Sequence, residues 1–272
     1  MSPKRGSDSD RFLPVAVKAA RAAGSILIRR YGKLTPADVS AKGDSDWVTT
    51  IDHASEREII RILMREFPRH TVKAEESSPR APASPYQWLI DPLDGTSNYI
   101  HQFPAFCVSV ALQRRGRLEV GVVYDPVREE LFTARRGHGA RLNGRRIRVS
   151  RRRRMAGALL TTGFPVRAKR QLGLYLESFH RIFLKTPTIR RAGSAALDLA
   201  YTACGRADGF WEMALAPWDM AAGVLLIEEA GGRVSDFFGG KRYLEEGHIA
   251  AGNPAIHREI VRVVAPIFRG KL

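Results

Sequence analysis

Asp91 and Asp94 stand three residues apart in the stretch Trp88-Leu89-Ile90-Asp91-Pro92-Leu93-Asp94-Gly95-Thr96-Ser97-Asn98-Tyr99. The apolar run Trp88 to Ile90 predicts a buried strand. Pro92 has no N–H and a fixed φ, so the strand is expected to stop there. The two carboxylates then sit on a turn at its carboxyl end. Gly95, Thr96 and Ser97 offer free backbone N–H groups where a short helix begins, and such groups bind phosphate. Carboxylates beside a phosphate repel it unless a divalent cation lies between them. Mg²⁺ is held in this way, by a few carboxylates and by substrate phosphate oxygens. The stretch therefore predicts metal-assisted phosphoryl chemistry. Taken alone, Asp-Pro-Leu-Asp-Gly is equally an ordinary surface turn.

Other acidic residues fall where neighbouring elements can deliver them. Thr71 to Ala74 predicts a short strand running into Glu75-Glu76, 16 residues before Asp91, so an adjacent strand can carry a glutamate to the same place. Asp52 precedes an apolar helical pattern at Ile59, Ile60, Leu63, Met64 and Phe67, which makes it a candidate helix N-cap. Asp219 opens a second apolar helix, Met220 to Ala230, after Pro217-Trp218.

The rest of the chain must position these groups. Phe12, Ala16, Ala20, Ala23, Leu27 and Tyr31 recur at helical spacing, and Gly32 ends that helix. Residues 106–113, 118–124 and 130–134 predict an antiparallel meander. A strand at 158–162 leads to a helix over 168–184 whose apolar residues are Leu172, Leu176, Phe179 and Phe183. A small-residue helix from Ser194 to Ala203, a strand at 208–213, a strand at 249–251 and a helix over 254–268 complete the pattern. Alternating helices and strands without an internal repeat indicate layered α/β architecture. Residues 1–11 are expected to be a flexible lead-in, and 12–272 a single domain.

The chain has 272 residues, 44% of them hydrophobic, enough for a substantial core. It holds no apolar run of about 18 residues, so no membrane span is expected. Cys107 and Cys204 lie far apart in apolar segments and are expected to be reduced and buried, with the cytoplasm as the default compartment. Lysine and arginine number 44 against 28 acidic residues, a formal charge of +16. Such a charge attracts phosphorylated substrates or nucleic acid, and is equally met on a solvated basic surface. Arg151 to Arg154 form the most basic run. No His-Glu-x-x-His, Cys-x-x-Cys or P-loop pattern occurs, which argues against zinc and against P-loop nucleotide chemistry.

Taken together, the motifs resemble the inositol monophosphatase family, its bacterial branch most closely. Residues 88–99 look like the family's first signature. Trp218-Asp219-Met220-Ala221-Ala222-Gly223, leading to Glu229-Ala230-Gly231-Gly232, looks like its second, and Arg190 with Gly193-Ser194-Ala195-Ala196-Leu197-Asp198 matches a further block. The resemblance spans roughly residues 12–268. It implies a layered αβαβα fold with mixed and antiparallel sheets. It also implies Mg²⁺-dependent, lithium-sensitive hydrolysis of phosphate monoesters, inositol 1-phosphate first among them, by a homodimer. By the same resemblance Glu75, Asp91 and the carbonyl of Leu93 would bind one metal, and Asp91, Asp94 and Asp219 a second. Asp52 would stand near a third, weaker metal and the attacking water, with Thr96 hydrogen-bonded to that water. Gly95 and Thr96 would meet the phosphate. Arg190, Ala195 and Glu212 would meet the leaving alcohol. Ala74 departs from the glycine often found before the paired glutamates.

Relatives of this fold also act on fructose bisphosphate, 3′-phosphoadenosine nucleotides or histidinol phosphate. A reading of another class is an RNA-associated transcription accessory protein that keeps the fold. The +16 charge and Arg151 to Arg154 motivate it.

Overall fold

The computed structural model describes residues 8–43, 46–77 and 84–272. Three apolar clusters organise the molecule and divide it into five layers. Helices α1 (Asp8–Arg30) and α2 (Thr50–Glu66) form the first. A short hairpin, β1 (Val39–Gly43) with β2 (Asp46–Thr49), joins them. The predicted lead-in overlaps α1, which begins at Asp8; residues 1–7 lie outside the described residues.

The second layer is a seven-stranded sheet of β3 (Thr71–Ala74), β4 (Tyr86–Asp94), β5 (Cys107–Arg114), β6 (Arg117–Asp125), β7 (Glu130–Arg135), β8 (Ala140–Leu142) and β9 (Arg145–Arg146), in that order. In this sheet β3 and β4 run parallel; β5, β6 and β7 form the expected meander, which pairs antiparallel with β4 on one side and is extended by β8 and β9 on the other. Strand alternation sends Trp88, Ile90, Val108 and Val110 toward α1 and α2, and Leu89, Cys107, Ala111 and Val123 to the opposite face.

That opposite face packs on α5 (Ala195–Ala203) and α6 (Pro217–Glu229), the third layer. α6 is buried on nearly all sides, as a helix between two sheets must be. The fourth layer is a five-stranded sheet, β11-β10-β12-β14-β13, built from β10 (Leu160–Thr162), β11 (Ile189–Arg190), β12 (Gly209–Glu212), β13 (Arg233–Ser235) and β14 (Ile249–Gly252). Phe210 and Ala251 face inward, while Trp211 and Ala250 face the fifth layer, α4 (Leu172–Phe183) with α8 (Pro254–Phe268). This is the αβαβα order expected. Two short helices, α3 (Thr96–Ile100) and α7 (Tyr243–Glu246), lie in connections.

Two local expectations are corrected. Strand β4 does not stop at Pro92 but runs to Asp94 through a bulge. Asp91 pairs with Ser109 and Asp94 with Cys107, so three steps on β4 match two on β5. The bulge absorbs the proline's missing donor and turns the strand at the two carboxylates. On α4 the buried residues are Tyr175, Ser178 and Ile182, whereas Leu172, Leu176 and Phe183 are exposed. Polar bonds choose this face: the Tyr175 hydroxyl meets Thr162 Oγ1 at 2.5 Å, and Trp211 Nε1 donates to Ser178 Oγ at 3.3 Å. Both cysteines are free, but only Cys107 is buried; Cys204 is half-buried. No described helix is long and apolar enough to cross a membrane.

Candidate active site

A cleft of about 170 Å³ opens where the bulged end of β4 meets the amino ends of α3, α5 and α6. Glu75, Asp91, Leu93, Asp94, Gly95, Thr96, Ala195, Glu212 and Asp219 all line it. Of the paired glutamates Glu75 faces the cleft, while the Glu76 N–H donates to Glu56 at 2.9 Å.

Helix starts hold the carboxylates in place. Asp52 is not an N-cap: Thr49 caps α2, and Asp52 sits three residues in, with its Oδ2 accepting the Thr49 N–H at 2.8 Å. Its Oδ1 is left to meet the Thr96 hydroxyl at 3.0 Å. Asp219 takes the equivalent place in α6, where its Oδ2 accepts the Ala216 N–H at 2.8 Å. Asp94 accepts the Ala196 N–H and the Ser194 hydroxyl, each at 2.7 Å, at the start of α5. The partial positive ends of these helices offset part of the negative charge they gather. Gly95 adopts φ 97° before α3, and a Cβ there would lie 2.8 Å from the Ala105 carbonyl, so the turn that presents the Thr96 N–H requires glycine.

The acids are uncomfortable together. Burial drives Asp91 well above the usual carboxylate range, and the charges of Glu75, Asp94 and Asp219 add to it. Burial also raises Asp94, with Asp219 adding, to about 6, although Ser194 and Ala196 hold it down. Glu212 is raised well above its ordinary value by burial and then by Asp198, Asp219 and Asp94. A pocket of carboxylates and one backbone carbonyl, all hard oxygen donors, is chemically suited to a cation such as Mg²⁺ or Mn²⁺. Among the described residues no group of three His, Cys, Asp or Glu side chains closes into a ready ligand set. A side chain supplies positive charge instead: Arg167 donates to Asp219 at 2.6 Å and to Glu75 at 3.2 Å.

One expected residue is placed elsewhere. Arg190 is exposed, donates to the Ile189 carbonyl at 3.0 Å and lines a neighbouring hollow, whereas Arg191 lines the cleft. Sequence reasoning gave no role to Arg167, Trp47, Phe164 or Asp198, which also line it. Asp198 falls within a motif block, which was a usable signal. Arg167 lies in a tight turn, Val166–Gln171, just ahead of the helix expected over 168–184, and nothing in the pattern marked it.

The model of the inositol monophosphatase family matches residues 8–267. This chain belongs to that family. It is similar to the protein named Nus factor SuhB of Escherichia coli (strain K12), with 50% identity over 246 residues, 90% of this chain and 92% of the relative. Among solved structures, the extragenic suppressor protein suhB of Bartonella henselae aligns with a TM-score of 0.89 at 43% identity, over 92% of this chain and 97% of that one. The inositol monophosphatase of Anabaena (Nostoc) sp. PCC 7120 aligns with a TM-score of 0.84 at 42% identity, over 96% and 97%. Inositol monophosphatase family members generally use a divalent metal, which agrees with the donors gathered here.

Proposed function

We propose that this chain hydrolyses phosphate monoesters with Mg²⁺, and that inositol 1-phosphate is its substrate. The observation that carries the reading is the convergence of Glu75, Asp91, Asp94 and Asp219 on one cleft beside the N–H groups of Gly95 and Thr96. Glu75, Asp91 and the Leu93 carbonyl would hold one ion, and Asp91, Asp94 and Asp219 another. Paired ions, when bound, make water nucleophilic at neutral pH and stabilise the leaving alkoxide.

The chain's own groups account for the remainder. Asp52 accepts from Thr96, which fixes the hydroxyl where it can orient the attacking water. The N–H groups at the start of α3 receive phosphate oxygens, and such aimed donors are often the largest catalytic term. Glu212, Ala195 and Arg191 receive the alcohol; Glu212 accepts from ring hydroxyls. The test is a panel of phosphate release from inositol 1-phosphate, fructose bisphosphate, a 3′-phosphoadenosine nucleotide and histidinol phosphate. The reading expects the highest kcat/KM on inositol 1-phosphate; a clear preference for another member overturns the substrate assignment.

A homodimer and a cytoplasmic setting belong to the same reading. Leu172, Leu176, Phe183 and Leu184 supply exposed apolar area for a second copy, and two free cysteines suit a reducing compartment. Sedimentation of the wild type against Leu176→Glu tests the dimer. A second reading is an RNA-associated transcription accessory protein, favoured by the name Nus factor carried by relatives at half identity. Co-purification with transcribing RNA polymerase tests it.

A further inference from the structure

The outer face of α8 carries a second concave surface, away from the catalytic cleft. Arg233, Phe238, His257, Arg258, Arg262 and Arg269 line about 460 Å³ there, and no acidic residue shares its walls. Arg258 and Arg262, four residues apart, share one side of the helix, and Arg269 stands at its C-cap against the same cleft. All four arginines are exposed.

Some arginines elsewhere on this surface are neutralised by a neighbouring carboxylate. Arg11 pairs with Glu66, Arg61 with Glu58, Arg181 with Glu177 and Arg206 with Glu130. The four that line this cleft make no ion pair among the described residues. Their charge is felt locally: burial lowers the pKa of His257, and Arg233 and Arg258 push it further, to about 4. Phe238, 42% exposed, stands in the same wall. A second basic run adjoins. Ser150 accepts from Asn253 at 2.9 Å and the Met155 N–H donates to Glu259 at 3.2 Å, so Arg151 to Arg154 are tethered at both ends to the amino half of α8. Within that run Arg152 is already engaged by Asp208 at 3.1 Å.

We propose that the α8 cleft binds single-stranded RNA, its arginines on successive phosphates and Phe238 stacked on a base. It rests on the RNA-associated reading, to which it gives a location distinct from the catalytic cleft. Uncompensated arginines track a phosphate backbone, and an exposed ring in the same groove stacks on bases without regard to sequence. An acidic polypeptide would satisfy the charge and leave the ring unused.

The test is fluorescence anisotropy with a labelled 12-residue oligouridylate across a salt series, on the full chain. For single strands each phosphate contact contributes about 0.7 to the slope of log K against log salt. The triple change Arg258→Ser, Arg262→Ser and Arg269→Ser should therefore flatten the slope by about 2 and weaken binding at least tenfold at low salt. Phe238→Ala should weaken binding severalfold with the slope unchanged. Aryl phosphate turnover should match wild type in both variants, which shows that they fold. A wild-type protein that does not bind the oligomer overturns the RNA-associated reading itself. Wild-type binding that the triple variant retains overturns the cleft alone. Poly-glutamate bound as tightly as the oligomer at equal salt overturns the assignment to nucleic acid.

Discussion

Arg167 Nη1 donates to Asp219 Oδ2 at 2.6 Å, across the mouth of the carboxylate cluster. Burial works against the guanidinium's charge, but Asp219 and Glu75 outweigh it and raise its pKa. The arginine thus supplies, from a tight turn, positive charge that a bound ion would otherwise bring. Under the proposed metal assignment, an ion on Glu75 or on Asp219 would compete with it for their oxygens.

Arg167→Ala should therefore cost the metal-free protein about 1 kcal/mol, the scale of a partly exposed ion pair. The same change should strengthen metal binding, since no side chain competes. Melting with and without Mg²⁺ checks both parts. The rise in Tm on adding Mg²⁺ should be larger in the variant than in wild type; equal rises would mean that Arg167 and the ion do not compete.

Asp91→Asn separates function from stability. Asp91 is buried, and three neighbouring carboxylates press on it. Removing its charge should leave the metal-free protein as stable as wild type or about 1 kcal/mol more so. Phosphate release should fall by about a thousandfold or more, as for loss of a central electrostatic group. Loss of stability in step with activity would make Asp91 a folding residue.

Glu212 lies so close to Gly163 that a Cβ on that glycine would stand 2.0 Å from Oε1. Gly163→Ala should displace the flexible carboxylate and reproduce Glu212→Gln. Each should raise KM for inositol phosphate by about tenfold while sparing a simple aryl phosphate. Equal loss on both substrates would remove Glu212 from the leaving-group pocket.

His257 sets a pH dependence of stability. Ser235 Oγ stands 2.8 Å from its Nε2, and Arg233 and Arg258 are the charged groups that lower its pKa, after burial, to about 4. Its folded pKa is below the ordinary value of about 6.5. The unfolded chain therefore takes up the proton first as pH falls. The contribution is fully present above about 6.5 and is lost progressively down to about 4. His257→Gln should flatten the melting profile across that window; an unchanged profile would mean that the proton is bound equally in both states.

Much of the site was legible because its acids are local. Asp91, Asp94, Gly95 and Thr96 occur within six residues of chain, and a proline and a glycine mark the turn that presents them. Asp52 and Asp219 each open an apolar helix, a place where an acid's position along the chain predicts its position in space. The layers followed from alternation, as with Leu89 against Trp88 and Ile90. What escaped depends on contacts far apart in sequence. Arg167 meets Glu75 and Asp219 from 92 and 52 residues away. The choice between Arg190 and Arg191 falls where a two-residue strand ends, which no periodicity fixes. The buried side of α4 carries the hydrogen bonds that Tyr175 shares with Thr162 and that Ser178 accepts from Trp211, against the pattern of its leucines and phenylalanines.

The most direct measurement is phosphate release from inositol 1-phosphate by the purified protein, first after exhaustive chelation and then with Mg²⁺ restored. The account predicts no turnover in chelator, recovery with Mg²⁺, inhibition by lithium, and poor recovery with Ca²⁺, whose coordination is larger and looser. Full turnover in chelator would contradict it.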